Sequence, residues 1–187
     1  APMTTLLYTT PRLIVRRLGP ADGEAMAEAS ACATSIMGHR VYQQIRDAQV
    51  EHTVFWTDAE TGIECKARFD VLGPLLVDLK TTRDASPKGF QRAIATYGYH
   101  IQAAHYMAGA IANGMEPRGF LFACVETSAP YLAAGYLMGN PTLEQGERER
   151  REALLTYARC LSEDRWPGYN DDRIEVIDLP TWAQRSE

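Results

Sequence analysis

The sequence feature that most constrains the fold is an alternating stretch from Ile63 to Leu72. Its odd-numbered residues are all apolar, namely Ile63, Cys65, Ala67, Phe69 and Val71. Its even-numbered residues are charged from Glu64 to Asp70. Because successive side chains of a β-strand point to opposite faces, this period of two predicts a half-buried strand. The apolar residues are expected on one face of a sheet and the charged residues on the other.

A second strand is predicted from Leu75 to Lys80, directly after the chain break at Gly73-Pro74. Its alternation separates Leu75, Val77 and Leu79 from Leu76, Asp78 and Lys80. The short connection favours antiparallel pairing with the preceding strand. In that arrangement the carboxylates of Asp70 and Asp78 can point to the same side of the sheet.

The remaining pattern predicts one α/β domain with a central mixed sheet flanked by helices. The expected helices are Asp22 to Ala33, Ser35 to Ala48, Lys88 to Ala112 and Pro141 to Leu161. Further strands are expected at Glu51 to Trp56, Gly119 to Glu126 and Tyr131 to Met138, with Ile174 to Ile177 as a short strand or an extended tail. Within residues 1–187 we expect N-terminal helices (1–50), a catalytic core (51–140) and a C-terminal helix and tail (141–187).

Composition excludes several classes of protein. No apolar run approaches the roughly 20 residues that cross a bilayer, and Ala1 to Thr10 lack the layout of a signal peptide, so a cytoplasmic protein is expected. The 4 cysteines are far apart, which argues against a zinc ribbon or an iron–sulfur cluster. The net charge of −5 argues mildly against nucleic-acid binding, but Glu64 to Arg92 holds 6 basic residues against 4 acidic ones.

Asp70, Asp78 and Lys80 form a candidate metal site. Two neighbouring carboxylates repel each other, and a divalent cation removes that repulsion. Mg²⁺ prefers such oxygen ligands together with substrate phosphate, and Mn²⁺ is the alternative ion. The ion would lower the pKa of a bound water, while Lys80 would hold that water or stabilise the transition state. The sequence Asp-x-Lys is frequent by chance, so the same three residues also fit ordinary charged side chains paired at a solvated surface.

Other residues extend this candidate site. Glu51 could add a third carboxylate or be an ordinary exposed residue at a strand start. Tyr99, Gln102 and Tyr106 share one helix face, which fits either a core stripe or a catalytic surface. A core-facing glutamine needs a hydrogen-bond partner, and a metal-bound water or a DNA phosphate would serve. The hydroxyls of Thr81 and Thr82 suit a phosphate or a turn about equally well.

The run GIECKARFDVLGPLLVDLKTTRDASPKGFQRAIATYGYHIQAAHY, from Gly62 to Tyr106, resembles the nuclease core of the exonuclease VIII (RecE) family. That family belongs to the PD-(D/E)xK superfamily, with lambda-type exonucleases and RecB nuclease domains as more distant members. The stretches FLFACVETSAPY, CLSEDRWPGY and LPTWA also resemble the family. The resemblance implies a Mg²⁺-dependent exonuclease that degrades one strand of double-stranded DNA from its 5′ end, without ATP, in recombination or phage DNA processing.

By position, the resemblance implies a role for each candidate residue. Asp70, Asp78 and the Leu79 carbonyl would hold the metal, and Lys80 would position the attacking water. Glu51 would be the upstream acid, and Gln102 with Tyr106 would match a supporting Gln-x-x-x-Tyr motif. The DNA contacts expected in this segment are Thr81, Thr82, Arg83, Lys88 and Tyr106. The resemblance also implies a ring-shaped homo-oligomer and, as a partner, a single-strand annealing protein.

One departure from the family concerns a histidine that larger relatives carry in an upstream helix. His39 and His52 are the candidates before or beside the first strand, and neither fits the family position well. Two alternatives to the exonuclease therefore stay open. One is a DNA-end-binding protein of the nuclease fold with weak or no catalysis, and the other is a module that docks a partner protein. The presence of Asp70, Asp78 and Lys80 together favours the enzyme.

Overall fold

The structure, a computed structural model, describes residues 23–183. Its main elements are α1 (Gly23–Gly38), β1 (Gln49–Thr57), β2 (Glu64–Leu72), β3 (Leu76–Thr82), α2 (Pro87–Tyr97), α3 (Tyr99–Ala112), β4 (Phe120–Glu126), β5 (Ala133–Leu137) and α4 (Asn140–Glu163). Short 3₁₀ helices lie at Arg40–Gln44, Tyr169–Asp172 and Thr181–Ala183. The expected helix start at Asp22 and both expected ends of the domain lie outside the described residues.

The strands form one mixed sheet in the order β1-β2-β3-β4-β5. Strands β3 and β4 run parallel, and the other neighbouring pairs are antiparallel. The connection between β3 and β4 consists of α2 and α3, because parallel neighbours need a crossover segment. The prediction of a single α/β domain with a central mixed sheet flanked by helices is confirmed.

The sheet separates two apolar cores. On one face, Phe90 of α2 and Ala103 of α3 pack against Phe120 and Phe122 of β4. On the other face, Val41 of the first 3₁₀ helix packs among residues of β2, β3 and β4. Each strand near the middle of the sheet is therefore covered on both sides, which accounts for the continuous burial of Phe120 to Val125. No helix among residues 23–183 has the length and apolar character that crossing a bilayer requires.

Two sequence predictions of secondary structure are wrong, and one open alternative is decided. The expected helix Ser35 to Ala48 does not form, because α1 continues to Gly38 and a 3₁₀ helix follows with Nδ1 of His39 as its capping acceptor. The expected helix Lys88 to Ala112 is interrupted at Gly98, whose φ of +65° is a left-handed conformation that glycine adopts easily. Residues 174–177 form no strand and are almost fully exposed, which leaves the alternative of an extended tail.

The predicted alternation of β2 also fails at one point, Asp70. Phe69 belongs to the core beneath α3, whereas Val71 belongs to the core on the opposite face. Glu51 of β1 has a φ of +57°, and the register of β1 with β2 passes over Glu51 and Asp70 between the pairs Val50↔Val71 and His52↔Phe69, so the backbone is distorted there. The β2–β3 pairing covers only Val71↔Val77 and Leu72↔Leu76. The two strands therefore separate at Asp70, and we call this gap the fork.

Candidate active site

The side chains of Asp78 and Lys80 extend from β3 towards α3. They are the two charged side chains that the structure buries within its described residues, with exposed fractions of 3% and 8%. The predicted alternation of β3 is confirmed, because Val77 and Leu79 pack in the core on the opposite face. The parallel pairing of β3 with β4 runs through both charged residues and fixes their position.

Gln102 of α3 connects the two buried charges. Its Nε2 donates a hydrogen bond of 2.8 Å to Oδ1 of Asp78, and its Oε1 accepts one of 3.0 Å from Nζ of Lys80. The Lys80 Nζ also lies 2.5 Å from Oδ2 of Asp78. A buried charge is costly unless it is paired and hydrogen-bonded, and this ring of contacts satisfies both. The partners of Gln102 are thus protein side chains, where the sequence had suggested a water or a phosphate.

Asp70 lies on the other side of the fork. Its Oδ2 accepts a hydrogen bond of 2.8 Å from the backbone N–H of Leu79, so its side chain bridges the gap between β2 and β3. A cavity of about 700 Å³ opens at this point, and Asp70, Leu79, Lys80 and Gln102 line it. The structure therefore brings Asp70, Lys80 and Gln102 to one cavity, whereas Asp78 is not among the lining residues and is connected to the cavity through its contacts with Lys80 and Gln102.

Helix α1 forms the opposite wall of this cavity, which the sequence interpretation missed. Ala25, Ala29 and Ala33 line it at intervals of four residues, together with Glu28 and Cys32. That spacing places small side chains on one helix face, and it was a signal available in the sequence. Burial raises the pKa of the Cys32 thiol, and the charge of Glu28 raises it further, so the thiol stays protonated and unreactive at neutral pH.

The predicted DNA contacts divide into two groups. Thr81 and Tyr106 line the cavity, and so does Tyr99. The hydroxyl of Thr82 donates to the carbonyl of Asp84 and accepts from its N–H, which is the turn role that the sequence had left open. Arg83 and Lys88 are exposed and lie outside the cavity lining. Their contact with DNA stays a prediction.

Glu51, His39 and His52 do not line the cavity. The carboxylate of Glu51 forms an ion pair with the guanidinium of Arg68. His52 stacks on Phe69 with ring centroids 6.4 Å apart, and His39 caps the first 3₁₀ helix. The cavity lining, as far as the structure describes the chain, contains no histidine that could take the place of the upstream histidine of larger relatives.

The donor atoms available for a metal are the carboxylates of Asp70 and Asp78 and the carbonyl of Leu79. Residues 23–183 hold no group of 3 or more His, Cys, Asp or Glu side chains placed to bind a metal ion. Structural zinc sites require four protein ligands, so this set does not suit them. Mg²⁺ is commonly held by one or two carboxylates, with water and substrate phosphate completing its shell. Asp70 fits that ion at the cavity, whereas Asp78, which is 3% exposed and is not among the lining residues described, would have to reach it from its buried contacts with Lys80 and Gln102.

The geometry can be compared with known proteins. A family model described as a PDDEXK-like domain of unknown function, DUF3799, matches residues 12–180. A solved structure of a "putative exonuclease" from Eubacterium rectale is 16% identical with a TM-score of 0.62, covering 84% of this chain and 63% of that one. At this identity the likeness shows the fold, and this chain spans less than two thirds of that protein.

Another solved structure, that of SSO0001, is 14% identical with a TM-score of 0.42 over 73% of this chain and 67% of that one. The comparison with curated proteins finds no match. The family model confirms the superfamily to which the sequence pointed, and membership of the RecE family within it stays a prediction. Because the family model covers nearly the whole chain, the protein belongs to the DUF3799 family of PDDEXK-like domains and thus to the PD-(D/E)xK nuclease superfamily.

Proposed function

We propose that this protein is a Mg²⁺-dependent nuclease that hydrolyses DNA phosphodiester bonds at the ends of double-stranded DNA. The observation that carries the proposal is the buried pair of Asp78 and Lys80, because Lys80 lines the same cavity as Asp70. Burying a charged pair stabilises a fold less than well-packed apolar side chains of similar size would. A catalytic role explains why the centre of this sheet holds a carboxylate and an ammonium.

The proposed chemistry assigns a task to each side chain. Asp70 and Asp78, with the Leu79 carbonyl, would hold Mg²⁺, or Mn²⁺ in its place. When bound, the ion supplies a polarised phosphoryl oxygen and a water of lowered pKa. The Lys80 ammonium orients the attacking water and stabilises the negative charge that develops on the phosphoryl group. Gln102 holds Asp78 and Lys80 in their relative positions through its two hydrogen bonds.

The size of the cavity suits one DNA strand better than a duplex. At about 700 Å³ the cavity falls in the range of pockets that enclose a small organic molecule. A short unpaired stretch of one strand fits such a space, whereas a duplex, whose major groove alone is about 12 Å wide, does not. The basic side chains of Arg83 and Lys88 are exposed on the segment that follows β3, where they could contact the phosphates of the remaining duplex.

The resemblance to the RecE family supplies the finer parts of the proposal. These are 5′-to-3′ polarity, independence from ATP, a role in recombination or phage DNA processing, a ring-shaped homo-oligomer, a single-strand annealing protein as partner, and a cytoplasmic location. A second candidate is a DNA-end-binding protein with weak or no catalysis. Two observations favour it: Glu51 is engaged with Arg68, and no histidine lies among the described residues of the cavity lining.

The test is incubation of the protein with linear double-stranded DNA and Mg²⁺, with EDTA as the control for metal. The Asp78→Ala variant is assayed beside Asp47→Ala, which removes an exposed carboxylate outside the site. We expect degradation by the wild type and by Asp47→Ala, and none by Asp78→Ala or with EDTA. Equal degradation by Asp78→Ala would refute the site assignment. Binding without degradation by the wild type would establish the second candidate.

Two further substrates test the finer proposal. Covalently closed circular DNA has no ends, so an exonuclease leaves it intact while a linear duplex of the same sequence disappears. A duplex labelled at the 5′ terminus of one strand should release its label first if polarity is 5′-to-3′. If a label at the 3′ terminus were released first, the proposed 5′-to-3′ polarity would be wrong. If the protein cut the closed circular DNA, the proposal that it acts only at DNA ends would be wrong.

A further inference from the structure

The ammonium of Lys80 has aromatic neighbours in addition to its two polar partners. Its Nζ lies 4.7 Å from the centroid of the Tyr99 ring and 6.0 Å from that of Phe122. Within about 6 Å, the negative face of an aromatic ring attracts a cation, and the attraction grows when water is excluded. Lys80 is only 8% exposed, so the contact with Tyr99 lies in such an environment.

The two kinds of neighbour act on the ammonium differently. Gln102 and Asp78 offer oxygen atoms that fix individual N–H directions. The face of the Tyr99 ring attracts the whole charge without claiming a particular N–H. An ammonium held in this way keeps a hydrogen free for a water or a phosphoryl oxygen, which the proposed role of Lys80 requires.

The local structure places the Tyr99 ring at this position. Tyr99 is the first residue of α3, directly after the left-handed Gly98, and it precedes Gln102 by one helical turn. Both side chains therefore reach Lys80 from the same helix face. The Tyr99 ring is held by Phe90 and Phe122, with centroids 6.1 Å and 5.6 Å away, and it also lines the cavity.

We propose that Tyr99 is a positioning residue for Lys80, with its ring face holding the ammonium at the wall of the cavity. The consequence for catalysis rests on the proposed nuclease function, whereas the interaction between the ring and the ammonium does not. The two parts are tested by separate measurements, so that failure of one is distinguishable from failure of the other.

The interaction is measured by a double-mutant cycle on urea unfolding. Tyr99→Leu and Tyr99→Phe are each made in the wild type and in Lys80→Met, which keeps the length of the side chain and removes its charge. We expect Tyr99→Leu to lower the folding equilibrium constant by about twofold to thirtyfold more in the wild type than in the Lys80→Met background. The ring-preserving Tyr99→Phe should show little of this coupling. Equal losses of stability on Tyr99→Leu in the wild type and in Lys80→Met would overturn the proposal.

Lys80→Met leaves the carboxylate of Asp78 buried without its ammonium, and this variant could fail to fold. The same cycle is therefore repeated in an Asp78→Asn background, where no buried carboxylate is left unpaired. In this background too, we expect Tyr99→Leu to cause the larger loss when Lys80 is present, and equal losses with and without Lys80 would overturn the proposal. Tyr97→Leu is the matched control, because Tyr97 is 68% exposed and its ring lies 5.5 Å from that of Tyr99. Its effect should be the same with and without Lys80.

The catalytic part is measured by steady-state hydrolysis of linear duplex DNA at full occupancy of Mg²⁺. We expect Tyr99→Leu to lower kcat by at least about threefold with little change in KM, and Tyr99→Phe to recover most of the loss. A kcat of Tyr99→Leu equal to that of the wild type would contradict the positioning role. If the wild type hydrolyses no DNA, the proposed function fails, while the unfolding cycle still decides whether the ring holds Lys80.

Discussion

Gln102 donates a hydrogen bond of 2.8 Å from its Nε2 to Oδ1 of Asp78, and this bond joins α3 to the central strand β3. The same amide accepts a hydrogen bond from Lys80, so a single side chain is hydrogen-bonded to a buried anion and a buried cation. The relative placement of the two charges therefore depends on a helix that lies far from both in sequence.

Gln102→Leu should destabilise the protein by roughly 1–3 kcal/mol, because it removes hydrogen-bond partners from two buried charged groups. Urea unfolding measures the loss. Gln91→Leu, the same change at an exposed position of α2, is the control and should alter stability by much less. A similar effect of the two substitutions would show that the ring of contacts contributes little to stability.

Gly146→Ala should also destabilise the fold, because α3 and α4 approach each other at this position. A Cβ at Gly146 would lie 2.1 Å from the carbonyl oxygen of His100, which belongs to the backbone of α3 and cannot rotate away. Overpacking of this kind costs about 1–3 kcal/mol, occasionally more. Thermal unfolding should show the loss for Gly146→Ala, whereas Gly168→Ala, whose Cβ would meet nothing within 4 Å, should behave as the wild type. If Gly146→Ala melted at the same temperature as the wild type, the close approach of α3 and α4 at Gly146 would be contradicted.

Asp58 should make the stability depend on pH in the acid range. Burial raises the pKa of its carboxyl, but hydrogen bonds from Thr61 and Arg150 outweigh burial, so the pKa lies below the ordinary value of 3.8. A carboxyl with a lowered pKa stabilises the fold fully above its unfolded pKa, and this contribution is lost as the pH falls through the folded pKa. Asp58→Asn should therefore lower the free energy of unfolding by about 1.5–3 kcal/mol at pH 7, where charged hydrogen bonds are lost.

The pH series provides the control for that prediction. Below about pH 4 the carboxyl of the unfolded chain takes up a proton, and the folded carboxyl follows at its lower pKa, so the difference between the wild type and Asp58→Asn should shrink. Asp47→Asn, at an exposed carboxylate beside Arg46, should show no such convergence. A difference between Asp58→Asn and the wild type that stays constant from pH 7 to pH 3 would exclude the charged carboxylate, with its hydrogen bonds from Thr61 and Arg150, as the source of the difference.

The sheet and the charged residues at its centre could be predicted from the sequence because local patterns determine them. The alternation from Leu75 to Lys80 sets which side chains of β3 share a face, and the structure follows it. The same argument failed at Asp70, because a distortion shared by β1 and β2 turns Val71 to the opposite core. Such a distortion depends on the pairing of two strands, and the alternation of one strand does not contain it.

The cavity wall could not be predicted in the same way. Helix α1 lines the cavity through contacts with residues distant in sequence. The sequence predicted that its small side chains belong to a helix, but not what that helix packs against. The interruption at Gly98 was missed because a glycine within a helical pattern is often tolerated, and its left-handed φ shows only in the structure. The position of Gln102 beside Lys80 depends on that interruption, so the sequence indicated the residue without indicating its partners.

The most direct test of the account is the rate at which Asp70→Asn releases soluble nucleotides from linear double-stranded DNA in the presence of Mg²⁺. Glu64→Gln, on an exposed position of the same strand, is the matched control. We expect Asp70→Asn to be at least about 100-fold slower than the wild type, because it removes a charged ligand of the proposed metal, and Glu64→Gln to be unaffected. Hydrolysis by Asp70→Asn at the wild-type rate would contradict the claim that the residues at the fork form the active site.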